Sequence, residues 1–133
     1  PSIVPQAVEE YFRRHGLSNT GRLVKRATDR KGAHFAQGDM VMVPISMSGM
    51  DERQYANPLI VDFDRNAPAH DTFGNGPHRC VGAGLARAEM RIFLEEWVKR
   101  IPDFCLDPDV PAHTHSGPVN GISQLGLLFR REP

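Results

Sequence analysis

Apolar residues recur at helical spacing near the start of the chain, where Val4, Ala7, Val8, Tyr11 and Phe12 predict a helix over residues 4–15. Pro5 is tolerated in its first turn and Gly16 serves as its stop. The period then shortens. Arg22-Leu23-Val24 and Met40-Val41-Met42-Val43 read as strands of a small antiparallel sheet, set apart by turn-prone Asp29-Arg30-Lys31-Gly32 and Gly38-Asp39. Residues 45–58 predict a short helix followed by irregular chain. Residues 59–72, dense in Asp, Asn and Pro, show no period and read as a meander; a loop this long in a compact domain is usually functional. Helical spacing returns over residues 81–100, with Leu85, Ala86, Ile92, Phe93, Trp97 and Ile101 on the apolar side and Pro102 as terminator. The Met90, Phe93 and Trp97 stripe is expected to be ordinary core packing. Phe104-Cys105-Leu106 reads as a short strand with Cys105 a structural thiol, Asn120-Gly121 marks a hairpin turn between Val119 and Ile122, and residues 125–129 form a closing strand. The pattern is that of an α+β, mainly helical chain with small antiparallel β elements.

Between the meander and the long helix lies Phe73-Gly74-Asn75-Gly76-Pro77-His78-Arg79-Cys80-Val81-Gly82-Ala83-Gly84-Leu85-Ala86-Arg87. Gly74 and Gly76 permit positive φ, and Pro77 stiffens the approach to Cys80. Gly82 and Gly84 leave space above the first helical turn for a flat group. A thiolate at a helix mouth gains from the helix N-terminus, and one donating sulfur in an apolar, glycine-rich hollow suits axial ligation of haem iron. Other readings compete. A lone helix cysteine is usually a small buried hydrophobe. A dinucleotide loop would need a third glycine where Arg79 stands. A zinc site from His78 and Cys80 would need two more ligands, for which His113 and His115 can be offered.

Composition narrows the partners. The 133 residues carry 16 Lys+Arg against 16 Asp+Glu, a balance that gives no support to nucleic-acid binding or to a polybasic membrane patch. The length allows one domain at most. Cys80 and Cys105 make no disulfide framework, which fits a reducing, cytoplasmic setting. No run approaches the ~20 apolar residues of a membrane span, and no signal peptide is evident. The chain begins at Pro1 without a methionine, so its true N-terminus is expected to lie further upstream.

The fifteen residues 73–87 resemble the haem-binding signature of cytochrome P450 enzymes, Phe-Gly-x-Gly-x-His-x-Cys-x-Gly-x-x-Leu-Ala-Arg, at every defined position. The resemblance implies that residues 1–133 are the C-terminal haem-binding portion of one larger monooxygenase domain and that the cofactor is haem b. It makes Cys80 the proximal thiolate ligand, with Phe73, Gly74 and Gly82 shaping its loop and His78 meeting a haem propionate. Arg79 stands where many relatives place an apolar side chain. Spacing alone makes Glu10 and Arg13 a surface ion pair; the resemblance makes them the family's buried Glu-x-x-Arg pair, with Arg65 as third member. Arg22 resembles the arginine that reaches a propionate. Ser18, Asn19 and Thr20 match a substrate-facing segment, and Pro118 and Val119 sit on a hairpin whose tip dips into the substrate pocket.

The activity implied is insertion of one oxygen atom of O₂ into a C–H bond of a small hydrophobic substrate, with electrons from a ferredoxin. The runs at residues 48–53, 95–104 and 116–117 look like those of bacterial camphor-hydroxylating members, which implies a compact terpenoid-like substrate and a [2Fe-2S] ferredoxin. The family's distal oxygen-activating helix precedes this segment, so the remainder of the polypeptide upstream is expected to supply it. The 133 residues alone are expected to fold poorly. A haem-thiolate binding or sensing protein without monooxygenase activity is the alternative.

Overall fold

A computed structural model describes residues 3–66 and 69–130; residues 1 and 2, and residues 67 and 68 of the expected meander, lie outside the described residues. The first helix, α1, spans Val4–Arg14 with its proline in the first turn, where the missing N–H has no intrahelical partner to lose. It buries Ala7 and Val8, as an apolar face should, but also Glu10 and Arg13. Gly16 is not a left-handed cap. Its Cα faces Ser46, whose Cα would lie 3.0 Å from an added Cβ, so close approach is what requires glycine there.

Strand β1 (Thr20–Leu23) pairs antiparallel with β4 (Met40–Val43), placing Arg22 opposite Val41. Inside this pair lies a hairpin that the polarity pattern does not reveal, β2 (Thr28–Arg30) with β3 (Ala33–Phe35). Its strands are mostly exposed and carry no alternation. The turn specifies it instead: Lys31 and Gly32 both take positive φ, 49° and 81°, as a two-residue hairpin turn demands. A single turn of helix, α2 (Ile45–Ser48), leads into the meander, which has no regular structure among its described residues.

The signature loop contains a 3₁₀ turn, Gly76–His78, and ends at Gly82, the N-cap of α3 (Ala83–Arg100). The last two sheets are pairs of short strands, β5 (Phe104–Leu106) with β8 (Leu127–Phe129) and β6 (His113–His115) with β7 (Gly121–Gln124). The expected Asn120-Gly121 turn is corrected here. His115 pairs with Gly121, so residues 116–120 form the closing loop, and neither Asn120 nor Gly121 takes positive φ. The Asn120 side chain instead accepts from Gly117 N–H at 3.4 Å.

The interior is small: Ala7, Val8, Tyr55 and Ala83 are its buried apolar residues, where α1 meets the meander and the start of α3. The expectation of core packing for the α3 stripe is corrected. Cys105 is exposed, and of α3 only Ala83 is buried, with Phe93 54% exposed. The described chain packs α1 against one side of α3 and leaves the other without a covering layer. Phe93, Trp97 and Phe104 form a chain of ring contacts, 5.5 and 5.6 Å between centroids, that ties α3 to β5.

Gly49, at the end of α2, sits directly against α1, since a Cβ there would overlap the Arg13 carbonyl oxygen. Gly49→Ala is therefore expected to destabilise the protein by about 3 kcal/mol or more, read from the urea midpoint, because backbone and not a flexible side chain must give way.

Candidate functional site

Glu10 collects four donors. Arg13 Nε reaches its Oε2 at 2.7 Å and Arg13 Nη2 its Oε1 at 2.7 Å, while Arg65 Nε and the Asp62 N–H meet Oε1 at 3.1 and 2.9 Å. With side chains only 3% and 5% exposed, Arg13 and Glu10 are no surface pair. Both guanidiniums also gather carbonyls of the irregular chain between α2 and the meander and of the meander's start. Arg13 donates to Gly49, to Pro58 at 2.8 Å and to Ile60 at 3.1 Å; Arg65 donates to Ala56 at 2.5 Å, Asn57 at 3.3 Å and Ile60 at 2.9 Å. Burial pushes the Glu10 carboxyl up, but the Arg13, Asp62 and Arg65 hydrogen bonds outweigh it and hold the group at about 2.

The Cys80 loop rests on this base. The Phe73 ring packs edge-on to Phe12 with centroids 4.9 Å apart, and the Arg87 guanidinium lies over it at 4.7 Å. The Phe73 carbonyl accepts the Cys80 N–H at 2.8 Å, and Gly74 N–H donates to Asp71 O at 2.7 Å. Gly74 and Gly76 take φ of 71° and 69°, conformations that side-chain-bearing residues rarely hold. A Cβ on Gly82 would touch Cys80 Sγ at an ordinary 3.7 Å and one on Gly84 would meet nothing, so both positions border open space at the start of α3.

Cys80 is exposed and opens on a cavity of about 910 Å³ walled by Phe12, Phe73 and Met90 and rimmed by Arg22 and His78. Among the described residues Arg22 donates only to its neighbour's carbonyl, Gly21 O, at 2.9 Å, and the His78 ring has no hydrogen bond. Thr20 Oγ1, also at the wall, is buried without a partner. One soft sulfur, two basic side chains with donors to spare and aromatic walls fit a broad, flat, apolar ring that carries anionic groups and a thiolate-binding metal. Haem is such a group. No three His, Cys, Asp or Glu side chains converge as a metal cluster among the described residues, so His113 and His115 do not join His78 and Cys80. No described helix is long and apolar enough to cross a membrane.

The substrate-facing candidates divide. Ser18 and Thr20 line the cavity, whereas Pro118 and Val119 are outside its lining and Val119 is 56% exposed. The two segments are nevertheless clasped. Ser18 and Val119 form an isolated antiparallel bridge, Asn19 N–H donates to Pro118 O at 2.8 Å, and Asn19 Nδ2 donates to Gly117 O at 2.9 Å. Ser46 Oγ then donates to Asn19 Oδ1 at 2.6 Å. Sequence reading also passes over Glu9, beside Glu10. Arg87 grips its carboxylate through Nε at 2.6 Å and Nη2 at 3.0 Å, and that hydrogen bonding holds the Glu9 pKa below its usual range.

The family model described as Cytochrome P450 matches residues 2–109. This chain belongs to the cytochrome P450 family. It is 40% identical to Cytochrome P450(MEG) of Priestia megaterium, over 97% of this chain and 33% of that protein. It is also 30% identical to the steroid C26-monooxygenase of Mycobacterium tuberculosis, over 100% of this chain and 37% of that protein. Among solved structures it resembles CYP101J2, at 38% identity and a TM-score of 0.89, covering 98% of this chain and 33% of the other. The chain thus spans about a third of the length of the curated relatives it matches. It has the cytochrome P450 fold, of which it represents the C-terminal portion, and haem b is the family's cofactor.

Because the Glu10 pKa is depressed from 4.5 to about 2, its contribution is complete above pH 4.5 and is lost as pH falls toward 2. The shift corresponds to roughly 3 kcal/mol. Urea unfolding across that acid range is expected to show the loss. Glu10→Gln should abolish that pH dependence and lower stability at neutral pH by about 3 kcal/mol, because it leaves the buried Arg13 and the partly buried Arg65 without their counter-charge.

Proposed function

We propose that this chain is the proximal, haem-holding portion of a monooxygenase that inserts one oxygen atom of O₂ into a C–H bond of a small hydrophobic substrate. The observation that carries the reading is the exposed Cys80 thiol opening on an aromatic-walled cavity whose rim holds Arg22 and His78. In this reading Cys80 ligates iron, and Arg22 and His78 bind the two carboxylates of the ring. Residues 80–82 feed directly into α3, whose positive N-terminal end favours an anionic sulfur. Haem, when bound there, supplies the activation of O₂ and the oxygen transfer.

The chain's own residues set the surroundings. Phe12, Phe73 and Met90 exclude water from the cavity, and the unpartnered Thr20 hydroxyl offers one hydrogen bond toward its contents. Ser18 and Thr20 orient the substrate, and the clasp to Asn19 brings Pro118 and Val119 to the same end. A compact terpenoid is the substrate class we favour, on the likeness of the runs at 48–53 and 95–104 to camphor-hydroxylating members. Two free cysteines support a reducing, cytoplasmic setting. The apolar face that α3 leaves open, including Leu85, Ile92 and Val98, supports further chain of the same polypeptide packing over it.

Cys80→Ser tests the ligand directly. Reduced carbon-monoxide spectra are expected to lose the thiolate-haem band in the variant; an unchanged band overturns the assignment. Electrons would come from an acidic [2Fe-2S] ferredoxin, and the exposure of Arg79 beside Cys80 supports a docking role for its charge. Arg79→Leu should then slow electron transfer at low salt and weaken its dependence on ionic strength, measured by stopped-flow reduction. An unaltered salt dependence removes Arg79 from docking.

A further inference from the structure

Behind the Cys80 loop lies a buried titratable ring that the proposed chemistry does not use. The His70 side chain is 5% exposed, and its Nε2 meets Glu9 Oε2 at 3.1 Å. Its Nδ1 accepts the Thr72 backbone N–H at 3.3 Å. A neutral imidazole has one donor and one acceptor, so this pairing fixes the proton on Nε2. Thr72 is held again through its Oγ1, which donates to Phe12 O at 2.7 Å. The next residue, Phe73, supplies the carbonyl that receives the Cys80 N–H. One ring nitrogen is thus one residue removed from the acceptor that fixes the loop cysteine.

The charged groups facing His70 are Glu9 on α1, Arg87 on α3 and Asp71 beside it in the loop. Burial pushes the imidazole below its ordinary 6.5 against the pull of the Glu9 carboxylate, whose charge Arg87 already engages through two hydrogen bonds. Protonation would add an N–H at Nδ1, pointing a donor at the donor of Thr72. That contact cannot survive as a hydrogen bond.

We propose that neutral His70 is a positioning residue for the Cys80 loop: its Nδ1 anchors Thr72, which holds the Phe73 carbonyl under the Cys80 N–H, and protonation of the ring releases that anchor. The proposal rests on the haem-thiolate reading only for what the loop carries, not for how it is held. The anchor is complete at pH values above 6.5 and is lost as pH falls through the lower value of the folded state.

Hydrogen-exchange protection factors in the intact protein test this without haem. Over about pH 5 to 8, Thr72 and Cys80 amides are expected to lose protection about five-fold on the acid side, while the Ile101 amide at the far end of α3 keeps its own. His70→Asn places an oxygen where Nδ1 sits and cannot titrate, so it should keep both amides protected at every pH. His70→Gln reaches Glu9 but leaves Thr72 without an acceptor, and should lower both protections about five-fold at every pH. Should the Asn variant fold badly, Glu9→Gln decides, because removing the carboxylate charge must move the wild-type loss to lower pH. Wild-type protection that ignores pH, a loss that persists in His70→Asn, or an unmoved loss in Glu9→Gln overturns the proposal. In haem-loaded protein the Soret position should follow the same pH range in wild type and not in His70→Asn. Failure to bind haem would sink the functional reading and leave the exchange result to judge His70.

Discussion

The structure depends on one carboxylate held by two guanidiniums beneath an irregular stretch of chain. Residues 49–65 have almost no secondary structure to satisfy their carbonyls, and a buried carbonyl left without a donor is costly. Arg13 and Arg65 supply the donors, taking the carbonyls of Gly49, Ala56, Asn57, Pro58 and Ile60 between them. Glu10 pairs with both cations, offsetting one of their two charges, and fixes their direction. Such a set need not add net stability over an apolar equivalent. What it adds here is a shape: meander backbone with no sheet or helix of its own is given one position relative to α1.

That position decides where the Cys80 loop begins. Asp71 lies at the end of the meander and Phe73 follows it, their carbonyls hold Gly74 and Cys80, and two glycines at positive φ turn the chain so that Cys80 arrives at α3 with its thiol exposed. The backbone N–H to carbonyl bond from Cys80 to Phe73 and the aromatic packing of Phe73 against Phe12 hold it there.

Much of this was legible in the chain because it is local. The signature loop reads from consecutive residues, and α1, β1, β4, β5 and α3 follow from periodicity and from Pro5 and Pro102. What was not legible was relational. The β2–β3 hairpin is carried by a turn conformation at Lys31 and Gly32, not by an apolar pattern. Asn120-Gly121 has the composition of a tight turn, but pairing of His115 with Gly121 moves the reversal to residues 116–120. Asn19 and Asn120 lie 101 positions apart, and no spacing rule connects them. The apolar face of α3 reads as core by composition, yet its partner surface is not among the described residues.

Glu9 and Glu10 show how one helical turn serves both halves of the site. Neighbouring residues on a helix point about 100° apart, so adjacent carboxylates cannot serve the same partner. Glu10 therefore faces the meander with Arg13 and Arg65, and Glu9 faces α3 and the loop, with Arg87 and His70. Arg87 then closes the circuit by lying over Phe73, the residue whose carbonyl holds Cys80. Exchanging the two acids for one acid and one apolar residue would remove the carboxylate contact either to Arg65 and Asp62 or to Arg87 and His70. The repeated acid in Glu9-Glu10 is thus best understood as two separate anchors, each with its own arginine, on the one helix that touches both.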